Sequence, residues 1–236
     1  MCGICGELRF DGRPADLAAL QQMTARLERR GPDHGGSYSD GSLGFGHRRL
    51  AVIDLSEHAN QPMVDQGLGL ALVFNGAIYN YRELRRELQA KGHHFFSSGD
   101  TEVILKAYDA WGRDCVKRFN GMFAFAIWDG RSQVLILARD RLGIKPLYYH
   151  FSRNQNTLLF ASELKALMAF GGFAKVVAPD SIPLFLHYQY IPAPGTIFKN
   201  TYKLLPGHFL TYNGDDVKTE EYWRLPDPPI NDTGPE

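Results

Sequence analysis

Short apolar runs bounded by turn residues and longer stretches with one apolar face divide this chain into predicted strands and helices. Gly6–Phe10 reads as a short strand ended by Asp11-Gly12. Pro14 then opens a helix with Leu17, Leu20, Met23 and Leu27 on one face, stopped by Gly31-Pro32. Short strands are predicted around Leu43–His47 and Leu70–Asn75. Asn80, with Glu83 three residues on, has a capping-box pattern that starts a helix running to Lys91 and ending at Gly92. A third helix is predicted from Thr101 to Trp111, with Asp100 as its N-cap.

Beyond residue 120 the chain reads as successive hairpins. Phe123–Trp128 and Val134–Ala138 read as strands joined by Asp129-Gly130-Arg131-Ser132, and Leu147–Phe151 pairs with Leu158–Ala161 across Arg153–Asn156. A last hairpin is predicted to link Gly207–Tyr212 with Glu221–Trp223 across Asn213-Gly214. Strands that come in hairpins pair antiparallel and leave their helices outside the sheets, so the pattern specifies α+β, not a doubly wound fold. From Leu225 onward Pro226, Asp227, Pro228, Pro229 and Asn231–Glu236 carry no apolar period. The expected organisation is a domain over residues 2–223 and a Pro-rich linker over 224–236 that leads toward a further domain.

Composition narrows the class. The 236 residues are 44% hydrophobic and 22% charged, ordinary for a globular protein with a substantial core. Lys+Arg and Asp+Glu are both 26, and a net charge of zero gives no reason to expect nucleic acid or an anionic membrane. Three cysteines make no disulfide framework and favour a reducing compartment. There is no signal-peptide pattern and no apolar run of membrane-spanning length. The expected setting is cytoplasmic.

The chemistry starts at Cys2, in Met1-Cys2-Gly3-Ile4-Cys5-Gly6. Once Met1 is removed, one residue carries both a thiol and a free α-amine, which titrates near pH 8 and supplies an adjacent base. Cys2 and Cys5 also form a C-x-x-C. A redox pair needs that motif at a helix start, and zinc needs more ligands than Cys115 and scattered histidines offer, so no metal is expected. Cys5 and Cys115 read as small buried hydrophobes. In Gly46-His47-Arg48-Arg49-Leu50 an arginine after a strand suits a carboxylate, although an isolated pair is ordinarily solvated surface. Asn75-Gly76 at a strand end suits an oxyanion hole, although Asn-Gly is also a common turn. Asp100 suits an ammonium group as well as an N-cap.

Eight ordered motifs then resemble a known family. Met1-Cys2-Gly3-Ile4, Arg30-Gly31-Pro32-Asp33, Gly46–Leu50, Asn75-Gly76-Ala77-Ile78-Tyr79-Asn80 and Gly99-Asp100-Thr101-Glu102 resemble the class II glutamine amidotransferases. Asn120–Ala126, Ala138–Tyr149 and Phe160–Leu167 are similar to the asparagine synthetase-like branch. The resemblance runs from Cys2 to about Trp223. It implies an N-terminal-nucleophile (Ntn) hydrolase fold, a four-layer α/β/β/α sandwich with two antiparallel sheets. It implies hydrolysis of L-glutamine to glutamate and ammonia through a Cys2 γ-glutamyl thioester, the ammonia passing to an ATP-dependent synthetase domain.

Carried over by motif, Cys2 is the nucleophile and its α-amine the base, and the Asn75 side chain and Gly76 N–H form the oxyanion hole. Arg49 binds the glutamine carboxylate, with backbone groups of Leu50, Val52 and Ile53 nearby, and Asp100 binds the ammonium. No cofactor is expected in this domain; ATP and magnesium are expected only in the synthetase half. The resemblance leaves room for a homodimer of the full-length parent. Ala77 departs from the family, which commonly has Glu after Asn-Gly, and the expectation is retained but weaker glutamine binding. A catalytically silent regulatory or binding module is the alternative. No S-G-G-x-D-S ATP loop occurs in the chain, so a separate synthetase half is expected. The opening Gly6–Asp16 and the non-acidic Ala77 look similar to enzymes that amidate N-acetylglutaminylglutamine.

Overall fold

A computed structural model of the chain describes residues 1–152, 155–214 and 216–227. The strands are β1 (Gly3–Arg9), β2 (His34–Asp40), β3 (Leu43–Arg49), β4 (Met63–Asp65), β5 (Leu70–Ile78) and β6 (Gly121–Asp129). They continue as β7 (Val134–Arg139), β8 (Tyr148–Ser152), β9 (Thr157–Ala161), β10 (Thr201–Lys203), β11 (His208–Tyr212) and β12 (Val217–Glu221). The helices are α1 (Leu17–Ala25), α2 (Tyr81–Ala90), α3 (Thr101–Trp111), α4 (Leu164–Leu167) and α5 (Ser181–Tyr188). Among the described residues the strands form two six-stranded sheets, ordered β10-β8-β9-β1-β3-β2 and β12-β11-β7-β6-β5-β4.

Strand alternation builds the layers. On β1, Ile4 and Leu8 point to the second sheet, as do Leu43 and Phe45 on β3. They meet Ala71 and Val73 of β5 and Ala124, Ala126 and Trp128 of β6. The opposite parity serves the outer layers. Cys5 on β1 and Leu159 on β9 lie under Leu20 and Met23 of α1. Leu72 and Phe74 of β5 and Phe125 of β6 lie under α2 and α3. Each large apolar side chain buried this way contributes roughly 1.5–3 kcal/mol. The result is the expected α/β/β/α sandwich.

Several local expectations need correction. Asp16, not Pro14, begins α1: its carboxylate accepts the Ala19 N–H at 3.0 Å. Leu17 is consequently 52% exposed instead of lying on the buried face. Asn80 makes no capping bond, because its side chain accepts from Asn120 N and donates to the Arg118 carbonyl. Asp100 makes no capping bond either. The last hairpin returns as Val217–Glu221, not Glu221–Trp223, since Tyr212 pairs with Val217 directly after the turn. Strands β2, β4 and β10 and helices α4 and α5 were not expected. β2 is Gly- and Ser-rich and an edge strand, so it shows no apolar alternation. The expected linker residues 228–236 and the turn residues 153 and 154 lie outside the described residues.

Candidate active site

Parity also assembles the site. Cys2 continues the inward phase of Ile4 and Leu8, Arg49 that of Leu43 and Phe45, and Asn75 and Ala77 that of Ala71 and Val73. Gly3 pairs with Arg48 across β1 and β3, which brings Cys2 beside Leu50. A pocket of about 180 Å³ opens there, between the ends of the two sheets. Cys2, Arg49, Leu50, Val52, Ile53, Asn75, Gly76, Ala77 and Asp100 all line it, so the residues assigned to catalysis and substrate binding from the sequence are in one place.

The thiol is held by backbone. Leu50 N–H donates to Cys2 Sγ at 3.4 Å, and the Leu50 carbonyl lies 3.6 Å from it. Burial pushes the thiol up, opposed by the Leu50 contact, the N-terminal charge and Arg49. Arg30 Nε donates to the Cys2 carbonyl at 2.9 Å while its Nη1 pairs with Glu163 at 2.9 Å. Ser162 Oγ accepts the Ile4 N–H at 3.0 Å, and the Ile4 carbonyl accepts Ser162 N–H at 2.9 Å. Cys5 is on the opposite face, buried with its sulfur 3.4 Å from Thr24 Oγ1, and burial pushes it up to about 12. Alternation therefore separates the C-x-x-C pair. Among the described residues no group of His, Cys, Asp and Glu is arranged to hold a metal.

Arg49 is buried and organises the neighbouring loop. Its Nη1 donates to the Ser56 carbonyl at 2.9 Å and to Asn60 Oδ1 at 2.7 Å, and its Nη2 donates to the Asp54 carbonyl. A guanidinium has five N–H donors, so Nε and one Nη2 hydrogen are left for a ligand. Asp54, at φ 53°, accepts from Ser56 and, at 2.7 Å, from Ser98 N–H. Burial would raise its carboxyl, but those bonds hold it well below the usual range. Asp54 thereby ties the Leu50–Ser56 loop to the segment before Asp100.

On β5, Gln61 Oε1 accepts Phe74 N–H at 2.6 Å and His47 Nε2 lies 3.2 Å from the Phe74 carbonyl. The following residue, Asn75, is 1% exposed, and its Nδ2 has no hydrogen-bond partner among the described residues. An orphaned buried donor costs about 1–3 kcal/mol, and a group left so at a pocket wall is a mark of function. Asp100 Oδ2 accepts Ile78 N–H at 2.9 Å, and burial raises its carboxyl. Glu102, fully buried, accepts Phe96 N–H and the Ser97 N–H and hydroxyl, folding the preceding loop onto α3.

Sequence reasoning missed the supports. Arg30, Asp33, Asp54, Gln61, Lys145 and Ser162 hold or line the site, and four of them, Arg30, Asp33, Lys145 and Ser162, lie in motifs quoted only for resemblance. Asp33 accepts Ala51 N–H at 2.8 Å, and a Cβ at Gly31 would stand 2.3 Å from the Arg48 carbonyl. That motif is a close-packed bridge between the chain end and β3.

The fold of two stacked antiparallel sheets between helices is that of the Ntn hydrolases. Glutamine phosphoribosylpyrophosphate amidotransferase from Bacillus subtilis superposes with a TM-score of 0.70 at 20% identity, over 95% of this chain and 50% of that one. A family profile described as "Glutamine amidotransferase domain" matches residues 1–223. The chain belongs to that family. It is 38% identical to a putative glutamine-hydrolysing asparagine synthetase of Methanocaldococcus jannaschii, over 96% of this chain and 47% of the relative. It is also 38% identical to asparagine synthetase 3 of Bacillus subtilis, over 95% and 37% respectively. The chain thus spans less than half the length of these curated relatives. Among the described residues no helix is long and apolar enough to cross a membrane.

Proposed function

We propose that this domain hydrolyses the side-chain amide of L-glutamine, with Cys2 as nucleophile. The observation that carries the reading is the orphaned Asn75 amide lining the same pocket as the thiol. Cys2 Sγ attacks the amide carbon, and its proton passes to the α-amine of residue 2, free once Met1 is removed. Asn75 Nδ2 and Gly76 N–H receive the oxyanion, a contribution worth roughly a hundredfold or more in rate. The amine passes the proton to the leaving nitrogen, the C–N bond breaks and ammonia departs. Water then cleaves the γ-glutamyl thioester, returning the thiol and releasing glutamate. The open donors of Arg49 take the substrate carboxylate. Asp100 takes the ammonium, and Leu50, Val52, Ile53 and Ala77 complete the wall.

The ammonia is destined for a synthetase half, in keeping with the longer relatives' being named glutamine-hydrolysing asparagine synthetases; ATP and magnesium would act in that half, and residues 224–236 would lead to it. Helix α5 supports such a partner: Phe185, Leu186 and Tyr188 are exposed on it. A cytoplasmic setting fits the three free cysteines, and amidation of an N-acetylglutaminylglutamine-like acceptor is the finer branch reading. The specific feature favouring a silent module instead is Ala77. With Met1 removed, the domain is expected to release glutamate from glutamine, and Cys2→Ala to reduce this to background at an unchanged unfolding midpoint. Turnover surviving in Cys2→Ala would overturn the mechanism, and an inactive parent domain would favour the silent module.

A further inference from the structure

The segment Arg139–Pro146 is built with more hydrogen bonds than a connecting loop needs. Asp140 is buried and its carboxylate accepts four backbone N–H groups: Leu142 at 3.2 Å and Ile144 at 2.9 Å on Oδ1, Lys145 at 2.9 Å and Phe123 at 3.1 Å on Oδ2. Arg139 donates to the carbonyls of Lys145 at 2.8 Å, Gly143 at 2.7 Å and Leu204 at 2.6 Å. Gly143 sits at φ +66°, a conformation that side-chain-bearing residues rarely adopt. The outcome of this construction is the placement of one side chain. Lys145 is 5% exposed and lines the pocket together with Met1 and Cys2.

Its ammonium has no hydrogen-bond acceptor and no carboxylate within ion-pair distance among the described residues. The stem is buried while the unpaired ammonium opens into the pocket, so its charge acts on the groups that share that space. The charged groups acting on Lys145 are Arg30, Cys2 and Asp140, those acting on the chain terminus are Cys2, Arg30, Lys145 and Asp33, and Cys2 is faced in addition by Arg49 and Asp100. Arg30 is already paired with Glu163 at 2.9 Å, and Asp140 is saturated by backbone. Arg49, the other cation lining the pocket, spends three of its donors on the Asp54, Ser56 and Asn60 oxygens, so Lys145 is the cation of this wall that makes no hydrogen bond among the described residues.

We propose that Lys145 is a positioning residue that keeps the N-terminal amine in its neutral, proton-accepting form and favours the Cys2 thiolate, acting by charge across the pocket. This rests on the glutamine-hydrolysing reading. The sign is fixed by electrostatics: a nearby cation disfavours a second cation and favours an anion. The N-terminal amine, carried here by Met1, is lowered by burial first; Cys2 opposes this, and Arg30 and Lys145 add to it. Removing Met1 transfers the amine to residue 2, on the same wall.

The test uses the Met1-free domain with Lys145→Met and Lys145→Gln as neutral variants and Lys145→Arg as the charge-keeping one. The acid limb of the kcat/KM profile is expected to move up by about half a pH unit or more in both neutral variants, roughly a threefold loss where the amine titrates. KM for glutamine should change less than twofold, and Lys145→Arg should restore the limb. An unmoved limb, a shift that arginine does not correct, or a loss confined to KM would overturn the proposal. The same substitutions in a Cys2→Ala background allow titration of the terminal amine by its rate of acylation against pH. That readout requires no turnover, so it tests Lys145 even if the domain proves unable to hydrolyse glutamine. An amine that titrates identically with and without Lys145 would overturn the proposal there too.

Discussion

Gly76→Ala sets two effects of opposite sign against each other. Glycine in a strand interior is unfavourable by roughly 0.5–1 kcal/mol relative to alanine, so propensity alone predicts a more stable variant. The site predicts the reverse. A Cβ at Gly76 would stand 2.2 Å from the Met122 carbonyl oxygen, 2.7 Å from the Phe74 ring and 2.8 Å from Phe123 Cα. Two of those three atoms are backbone of the paired strand β6, where Gly76 faces Phe123, and they cannot swing aside like a lysine tip. Overpacking of this kind costs about 1–3 kcal/mol, which exceeds the propensity gain and leaves a net loss of about 1–2 kcal/mol.

Urea unfolding followed by the fluorescence of buried Trp128 measures the loss, and glutaminase turnover reports the proposed oxyanion donor. Gly171→Ala is the control, since a Cβ there meets nothing within 4 Å, and it is expected to be neutral or gain up to about 1 kcal/mol. For Gly76→Ala, kcat should fall about a hundredfold if the strands part enough to move the N–H. An unfolding midpoint equal to the parent's would refute the steric reasoning. A lowered midpoint with normal kcat would instead remove Gly76 N–H from the mechanism.

Ala77→Glu places a carboxylate on the pocket wall that Asp100 also lines, and KM for glutamine is expected to fall about three- to tenfold, the ~1 kcal/mol of a partly exposed ion pair, with kcat within about twofold. An unchanged KM shows that the position is silent. His47 supplies a pH dependence of stability. Burial first, then the neighbouring His34, Arg49 and Arg48, hold its imidazole down at about 3 against a usual 6.5, while a bond to Phe74 opposes them. Above pH 6.5 both folded and unfolded forms are neutral there, so the residue contributes no slope. As pH falls from 6.5 toward 3 the unfolded chain takes up a proton that the folded one refuses, and stability is lost at up to about 1.4 kcal/mol per pH unit. His47→Gln should flatten the unfolding midpoint between pH 6.5 and 4.5, and equal slopes in variant and parent would exclude His47 as the source.

Much of the fold is written in local pattern. The hairpins Phe123–Ala138 and Leu147–Ala161 are legible because both faces of their strands carry apolar residues bounded by strong turn residues. Helix α3 is legible to the residue, although its predicted cap spends its carboxylate on Ile78. What escapes is whatever depends on partners distant in sequence. β2 has no apolar alternation because it is an edge strand built to let β3 and the Gln61 loop approach: a Cβ at Gly36 would stand 2.3 Å from the Gln61 carbonyl. The site residues were legible as chemical types, but their supports were not. Nothing local in Arg30 or Asp140 says that one will grip the Cys2 carbonyl and the other will raise a loop under Lys145. Strand parity is the one signal that was available and unused: Cys2 is in phase with Ile4, and Asn75 with Val73.

That parity explains why the site lies where it does. The thiol and the guanidinium come from the ends of β1 and β3 in one sheet, and the amide donor from β5 in the other. The two sheets meet through the inner core of Phe45, Val73, Ala126 and their neighbours, with polar ties from His47 to the Phe74 carbonyl and from Trp128 to Asp40. Distance between the proposed nucleophile and the proposed oxyanion donor is therefore fixed by how the sheets stack, not by any bond between the residues themselves. Asp54 adds a second link, from the loop gripped by Arg49 to the segment that presents Asp100. On the proposed reading, the carboxylate clamp Arg49 at the end of β3 and the ammonium clamp Asp100 are joined through this loop, and both are referenced to the same wall as Cys2. Such an arrangement selects a ligand by the spacing between its carboxylate, its ammonium and its amide, which is the property that distinguishes a free amino acid amide from a peptide.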